Sequence, residues 1–329
     1  MTRIVLAYPD TAWGQDPHRL APDPLGFDEA IAWLGEQHHG AEVVALMLDF
    51  GQGRELEALR DRALGAGAVR AHVIDVADAF TARFLLPALR AGALYLDGRP
   101  STPALARMAI AQQLVEVAAI EQTSLVAHGY SAADRSVTTA VKALDPSVAV
   151  ITVPPSVLGS SGAGLSSAGP SAATAGAGDE RRAEPAFVDL TFVRGAPTAI
   201  NGVPMPMIDL IGSLDMLSGT HGGRFNRRGT TAAMVMHDAH RGLQESVAAP
   251  AADGPAEAGR HVLSELGQRY AQLLAAGAWF SSERAALDAA VDRSEQSVNG
   301  TVRLQLVDDE CRIVEIAPLD TKRKVEVRS

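Results

Sequence analysis

Short apolar runs alternate with helix-like segments through the first half of the chain, and this alternation limits the folds that the chain can adopt. The runs are continuous and β-branched, which is typical of strands buried on both faces. The segments between them place apolar residues such as Ile110, Leu114 and Val117 at helical spacing. We predict strands at residues 3–8, 42–48, 71–76, 124–127 and 148–153, and helices at 27–39, 54–66, 102–122 and 135–144. This order predicts an α/β domain with a mostly parallel sheet and helices on both faces.

The carboxyl ends of the predicted strands are the places where a ligand is expected. Open α/β sheets bind their ligands in the crevice outside these ends. Here the ends are Ala7-Tyr8, Asp49–Gly53 and His128-Gly129. We therefore look for functional side chains in these three segments and in the residues that follow them.

Residues 154–184 have a different character from the rest of the chain. They consist mainly of Gly, Ser, Ala and Thr, and large apolar residues are nearly lacking. Such a segment buries too little surface to offset its ordering entropy, so we predict a disordered linker. It separates an α/β domain at 1–153 from an α+β domain at 185–329. In the second domain we predict a strand at 187–194, an Asn-Gly hairpin at 199–203, a strand or helix at 230–241, helices at 206–219, 256–278 and 282–293, and a hairpin formed by 298–307 and 312–316.

Charge and cysteine content exclude several classes of partner. The net charge is −10, with no stripe of Lys and Arg, which disfavours nucleic acid and anionic membranes as partners. No stretch approaches the ~20 apolar residues of a membrane span. A single cysteine, Cys311, and a strand-like start without a secretory signal fit a cytoplasmic protein. His237 and His240 have i,i+3 spacing but no indicated third ligand, so no metal site is predicted.

Several segments, in order along the chain, resemble argininosuccinate synthase. They include the strand Ile4–Tyr8 and the sequences Asp49-Phe-Gly-Gln-Gly53, Ala127-His-Gly129, Gly195-Ala-Pro-Thr-Ala-Ile-Asn-Gly202, Gly277-Ala-Trp-Phe280 and Gly300-Thr-Val-Arg-Leu304. The resemblance implies a Rossmann-like, adenine-nucleotide α-hydrolase-like (ATP pyrophosphatase) domain followed by a synthetase-like domain. Members of that family activate the ureido oxygen of citrulline with ATP, release pyrophosphate, and let the aspartate amine displace AMP.

The same resemblance assigns candidate site residues, although no catalytic residue is assigned. The candidates for a degenerate nucleotide site are Ala7, Tyr8, Asp10, Thr11, Asp49, Gln52, His128 and Gly129. The candidates for substrate binding are Tyr95, Thr102, Ser131, Asp134 and Arg135. Tyr95 corresponds to a citrulline-binding tyrosine of the family, Ser131 to an aspartate-contacting threonine, and Asp134 to an asparagine.

The chain departs from the family where the chemistry takes place. The family's phosphate loop, Ser-Gly-Gly-x-Asp-Thr-Ser, is replaced after Tyr8 by a segment with four prolines, each of which lacks a backbone donor. Four aspartates in the same region place negative charge where phosphate would bind, although Asp23 or Asp28 could instead cap the following helix. The family's Gly-Lys-Gly after His128-Gly129 is missing, and Thr138 replaces an arginine that would hold a carboxylate.

Three hypotheses follow from these departures. The first is a divergent homologue in specialised metabolism that has lost the parent ligation and binds a small polar or amino-acid-like ligand. The second is an adenylating ligase with an altered substrate, for which ATP and Mg²⁺ would be cofactors. The third is a non-catalytic partner subunit of a true synthase. Because the family's C-terminal oligomerisation arm has no counterpart, we expect a homodimer rather than a tetramer.

Overall fold

The computed structural model describes residues 2–7, 26–51, 55–96, 99–130, 134–158, 186–221, 232–248, 256–307 and 310–319. The predicted linker beyond Leu158 and the proline-rich loop after Ala7 lie outside these residues. None of the helices in the described part of the chain combines the length and the apolar character that crossing a bilayer requires.

A five-stranded parallel sheet forms the first half of the chain, which confirms the predicted α/β class. Its strands are β1 (Arg3–Ala7), β2 (Glu42–Asp49), β3 (Arg70–Asp75), β6 (Leu125–His128) and β7 (Ala149–Thr152). Their order is β3-β2-β1-β6-β7, so β1 lies at the centre. The strand order reverses next to β1, and its carboxyl end therefore faces the crevice where such sheets bind ligands.

Helices connect these parallel strands, as the sequence predicts. They are α1 (Phe27–Gln37), α2 (Glu55–Gly65), α5 (Thr102–Ile120) and α6 (Ser136–Leu144). The predicted aspartate cap of α1 is wrong for Asp28. The N-cap of α1 is Gly26, with φ 111° and no side-chain cap, while Asp28 accepts a 2.9 Å hydrogen bond from Arg62 of α2. Asp23, the other candidate cap, lies outside the described residues.

The segment between β3 and α5 contains elements that the sequence pattern did not indicate. A short helix α3 (Ala77–Phe80) runs into a π-helical turn (Thr81–Leu85) and then into α4 (Leu86–Arg90). Two short strands follow, β4 (Tyr95–Leu96) and β5 (Arg99–Pro100), and they pair antiparallel.

A buried carboxylate joins three elements at the amino edge of the first sheet. The side chain of Glu121, just after α5, is fully buried and accepts hydrogen bonds from Arg3 (2.9 Å) and Arg70 (2.7 Å). Its Oε1 also lies 2.7 Å from His72 Nε2. Burial alone would raise the pKa of Glu121, but the hydrogen bonds from His72 and Arg70 lower it below the ordinary value. This amino-edge cluster ties β1, β3 and the end of α5 together.

An antiparallel sheet forms the second half of the chain. Its strands are β8 (Ala186–Val193), β9 (Ala196–Ile200), β10 (Val203–Pro204), β11 (Gly300–Val307) and β12 (Glu310–Pro318), in the order β10-β9-β8-β11-β12. The predicted Asn-Gly turn is confirmed, since Asn201 and Gly202 have φ of 50° and 75° between β9 and β10. The accompanying helices are α7 (Met207–His221), α8 (Ala232–Ala248), α9 (Ala256–Ala275) and α10 (Ser282–Glu295). The segment predicted as strand or helix at 230–241 is helical where it is described.

A buried histidine–glutamate pair joins two of these helices. His240 Nε2 of α8 lies 2.7 Å from Glu295 Oε2 at the end of α10, and both side chains are almost fully buried. Gln244, one turn further along α8, donates a 2.7 Å hydrogen bond to the other oxygen of Glu295. Both oxygens of this buried carboxylate are therefore hydrogen-bonded.

Helix α9 ends in a glycine-dependent turn. The N–H groups of Gly277 and Ala278 donate to the carbonyls of Leu274 (3.1 Å) and Leu273 (2.8 Å), which is the Schellman arrangement. Gly277 has φ 71°, and a Cβ there would collide with the backbone carbonyl of Ser136 at the start of α6. The position thus needs glycine for two independent reasons.

Contacts between residues divide the chain into two compact units that are not continuous in sequence. The first unit comprises the described residues of Met1–Phe80, Thr102–Ser171 and Gln272–Arg284, and it contains the parallel sheet. The second comprises those of Thr81–Ser101, Ala172–Ala271 and Ala285–Ser329, and it contains the antiparallel sheet. The domain boundaries at 153/154 and 184/185 stay a prediction.

Candidate functional site

The carboxyl edge of the parallel sheet brings two of the predicted nucleotide-site residues together. Ala7, at the end of β1, pairs in register with His128, at the end of β6. Asp49 ends the neighbouring strand β2, and its Oδ1 accepts a 2.7 Å hydrogen bond from the N–H of Gly51. The Asp-Phe-Gly segment is thus a strand-end turn whose aspartate stabilises the turn itself.

His128 is a buried imidazole held by hydrogen bonds on both ring nitrogens. The N–H of Tyr130 donates to Nδ1 at 3.3 Å, so Nε2 carries the proton and donates to Thr138 Oγ1 at 3.2 Å. Burial lowers the pKa of His128 to about 4, although the nearby Asp134 carboxylate opposes this shift. His128 is therefore neutral at physiological pH and contributes hydrogen bonding rather than charge.

We expect acid to destabilise the first unit through this histidine. The folded-state pKa of His128 lies below the unfolded value of 6.5, so the unfolded chain binds more protons between these two values. Its contribution is present at neutral pH and is lost as pH falls toward 4, by roughly 2 kcal/mol between about pH 7 and about pH 5. Urea unfolding followed by tryptophan fluorescence reports on this unit, because Trp33 and Trp279 belong to it.

Two histidine-to-asparagine variants test whether His128 causes the acid sensitivity. His128→Asn should reduce the pH dependence, whereas His39→Asn on the exposed turn after α1 should leave it unchanged. Equal pH dependence in wild type and His128→Asn would contradict the assignment.

A charged pair lies beyond His128, in what we call the α5–α6 cluster: Arg107, Tyr130, Asp134 and Ser136. Asp134 Oδ2 lies 3.2 Å from Arg107 Nη1, and Asp134 Oδ1 accepts a 3.0 Å hydrogen bond from the N–H of Ser136. Burial alone would raise the pKa of Asp134, but hydrogen bonding from Ser136 and the charge of Arg107 outweigh this effect and lower the pKa. The guanidinium carbon of Arg107 lies 5.9 Å from the centroid of the Tyr130 ring. The cluster therefore presents an ionised carboxylate, a cation and an aromatic face.

Leu158 covers the region between α1 and the end of β6. A Cβ on Gly26, the N-cap of α1, would meet the backbone of Leu158, and one on Gly129 would lie 3.1 Å from the Leu158 Cδ1 methyl. Leu158 also shares an apolar cluster with Phe27 and Ala127. Apolar chain thus packs against the helix N-terminus that follows the central strand.

The structure places the remaining predicted site residues as follows. Thr102 is buried in the first turn of α5, and Arg135 is exposed at the N-cap of α6. Tyr95 belongs to the second unit, where its ring centroid lies 6.4 Å from that of His237. The residues Tyr8, Asp10, Thr11, Gln52 and Ser131 lie outside the described residues.

Sequence reasoning missed Arg107 as a candidate site residue. The resemblance to the family assigns no role to this arginine. A signal was present, because Arg107 is the one basic residue in the predominantly apolar helix α5. A single cation in such a helix is expected to have a charged or polar partner. That partner, Asp134, is too distant in sequence to be identified from a local pattern.

Elsewhere among the described residues, the His, Cys, Asp and Glu side chains offer neither a metal site nor a reactive thiolate. Within the described residues, no group of three or more His, Cys, Asp or Glu side chains is arranged to hold a metal ion. Burial and the charge of Asp238 raise the pKa of the Cys311 thiol to about 12, so it carries no nucleophilic thiolate at neutral pH.

Comparisons with known proteins agree in both halves of the chain. The family model described as "Arginosuccinate synthase N-terminal HUP domain" matches residues 25–154, and the "Arginosuccinate synthase C-terminal domain" matches residues 173–317. The argininosuccinate synthase of Carboxydothermus hydrogenoformans is 30% identical over 84% of this chain and 81% of its own. The argininosuccinate synthase of Bacillus pumilus is 30% identical over 85% and 82%, and that of Desulfitobacterium hafniense is 28% identical over 95% and 87%.

Proposed function

The chain belongs to the argininosuccinate synthase family, and we propose that it has kept the family's scaffold but lost the ATP-dependent joining of citrulline and aspartate. Its role is then to bind a small polar ligand, amino-acid-like or a simple carboxylate, at the carboxyl edge of the parallel sheet.

The packing of Leu158 on the N-terminus of α1 is the observation that carries this proposal. Folds of this kind bind phosphate with free N–H groups at the helix that follows the first strand. Here the N-cap Gly26 packs against the Leu158 backbone, and the first turn of α1 carries the carboxylates of Asp28 and Glu29. Packed chain and the exposed carboxylate of Glu29 do not suit a triphosphate, because a unit-charge pair at ~4 Å adds about 1 to 4 kcal/mol of repulsion. The charge of Asp28 is offset by Arg62 and adds little to this repulsion.

The α5–α6 cluster supports binding of a smaller ligand at the same edge. Together with the neighbouring His128, it offers one cation, one carboxylate, a neutral imidazole and an aromatic ring, which together carry little net charge. This balance favours a singly charged or zwitterionic molecule over a polyphosphate.

We expect no ATP-dependent turnover from the purified protein. With ATP, Mg²⁺, citrulline and aspartate present, pyrophosphate release should stay at the level of a protein-free blank. Millimolar ATP should also leave the melting temperature unchanged, because a ligand stabilises only in proportion to its concentration over its dissociation constant. The Carboxydothermus synthase, assayed in parallel, is the positive control.

Each alternative function has its own outcome in these experiments. Pyrophosphate release with citrulline and aspartate would overturn the proposal, and release with another acceptor would favour an adenylating ligase. Co-purification with a true synthase would favour the role of partner subunit. Light scattering of the isolated chain tests the proposed homodimer.

A further inference from the structure

We infer that the edge strand β3 is the interface of the homodimer, where it pairs antiparallel with β3 of a second copy of this chain. This inference rests on the homodimer named under the proposed function, but it is independent of the lost ligation. The parallel sheets of the two copies then form one continuous sheet across the dimer axis.

The outer edge of β3 carries backbone groups that no strand satisfies in the described part of the chain. β3 is the end strand of the parallel sheet and pairs with β2 alone. The N–H of Val69 points inward, since it donates to the Val43 carbonyl next to β3 at 2.9 Å. Backbone groups alternate in direction along a strand, so Arg70, His72 and Ile74 direct their N–H and C=O groups outward. Such a row of donors and acceptors is a template for another strand.

The other three edges of the two five-stranded sheets each have a feature that disfavours pairing. β7 has four residues and is followed by Pro154 and Pro155. β10 has two residues, one of which is Pro204. β12 is longer, but its register with β11 shifts at a β-bulge between Arg303 and Leu304. Short length, proline and bulges all protect edge strands, whereas β3 has six residues in unbroken register with β2 and no proline.

The two basic side chains of β3 do not protect its edge either. Arg70 Nη1 and His72 Nε2 each lie 2.7 Å from Oε1 of the buried Glu121, on the α5 side of the sheet. Their charges are therefore held against a carboxylate rather than over the outer edge. On the opposite side of the sheet, Val69 and Val73 are exposed. Exposed apolar side chains beside a free strand edge favour a protein partner over solvent.

The charges of β3 favour a second copy of the same strand as the occupant. β3 begins with the basic Arg70 and ends with the acidic Asp75. Antiparallel pairing brings the basic end of one strand beside the acidic end of the other, whereas parallel pairing would align like charges. A twofold axis gives this antiparallel arrangement, because it places the same surface on both sides of the interface.

The outward-facing backbone groups determine the register of this pair. A twofold axis at His72 forms hydrogen-bonded pairs between His72 of the two copies and between Arg70 and Ile74 in both directions. All outward groups of β3 are then satisfied. On the α2 side, Ala71 lies opposite Val73 of the second copy, so the exposed valine of each copy is covered.

Light scattering over a range of protein concentrations tests the interface with a pair of valine variants. Val73→Lys adds a charge to the free edge and should weaken dimerisation at least about tenfold. Val193→Lys puts the same charge on an exposed valine at the end of β8, in the second unit, and should change dimerisation less than about twofold. Equal dimerisation of Val73→Lys and wild type would overturn the interface.

Disulfide trapping tests the register with two variants made separately in a Cys311→Ser background. Ala71→Cys and Val73→Cys, mixed and then oxidised, should form a crosslinked dimer, because residues in this kind of antiparallel pair have Cα atoms about 4.5 Å apart. Each variant alone should crosslink far less, because the same residue of the two copies then lies diagonally, at roughly 7–8 Å. A mixture that crosslinks no better than either variant alone would overturn the proposed pairing.

The outcomes separate this inference from the proposed function. A wild-type protein that stays monomeric at every concentration would overturn both the β3 interface and the homodimer, and would leave the lost ligation standing. A dimer that Val73→Lys does not weaken would overturn the interface alone. Pyrophosphate release in the synthase assay would overturn the lost ligation, whatever light scattering and crosslinking show.

Discussion

Replacing Glu295 with alanine is expected to lower the free energy of unfolding of the second unit by roughly 3–5 kcal/mol, because two buried polar groups lose their hydrogen-bond partner and a cavity is left. The carboxylate is fully buried, and its two oxygens bond to His240 and Gln244 at 2.7 Å each. Removing it leaves two buried polar groups unsatisfied and opens a cavity at the end of α10.

The tautomer of His240 follows from the same contacts. Its Nδ1 is buried without a hydrogen-bond partner in the described part of the chain, whereas Nε2 faces Glu295. An unpaired lone pair on Nδ1 is less costly than an unpaired N–H, so we assign the proton to Nε2, which donates to the carboxylate.

Two glutamate variants make the Glu295 prediction specific. Glu295→Gln keeps the shape and one carbonyl oxygen, so it should destabilise clearly less than alanine. Glu245→Ala removes an exposed carboxylate of α8 that pairs with Arg241, and should change stability by less than about 1 kcal/mol. The hydrogen-exchange rates of the α8 backbone amides measure the stability of the second unit. Equal protection of these amides in Glu295→Ala and Glu245→Ala would contradict the prediction.

Gly277→Ala is expected to destabilise the first unit by roughly 2–5 kcal/mol, combining left-handed backbone strain with overpacking. The residue has φ 71° in the Schellman turn that ends α9, and an added methyl would collide with the carbonyl of Ser136. Because a backbone atom blocks the space, α6 or the turn has to move. Asp134 bonds to the Ser136 N–H, so the same change should disturb the α5–α6 cluster.

Gly65→Ala is the matched control for this substitution. Gly65 ends α2 without positive φ, and no atom lies within 4 Å of the position where its Cβ would be. Alanine there should be neutral or slightly stabilising, by up to about 1 kcal/mol. Urea unfolding followed by the fluorescence of Trp279, which lies two residues beyond Gly277, measures both variants. Similar midpoints would mean that the turn relaxes without cost.

The sheet elements and most helices could be predicted from sequence because their signals are local. The continuous apolar runs that become β1, β2 and β6 are buried almost throughout, and period-two alternation marks β8. The Asn201-Gly202 turn was equally readable, since both residues tolerate positive φ.

Contacts between residues that are distant in sequence could not be predicted from local sequence patterns. Asp28 looked like a helix cap, but it pairs with Arg62, 34 positions away. The elements between Ala77 and Arg90 could not be predicted, because two short helices and a π-helical turn do not produce a hydrophobic pattern long enough to recognise. Arg107 lies in α5 and Asp134 just before α6, and their pairing depends on how α5 packs on α6.

The amino-edge cluster around Glu121 has a consequence for how such a protein can evolve. One carboxylate holds β1, β3 and α5 at the margin opposite the ligand crevice. Insertions, deletions and substitutions in the loops of the crevice therefore leave this anchorage intact. The carboxyl edge of the sheet therefore tolerates more mutations than the amino edge. A protein of this family can lose its original activity through such mutations and still fold.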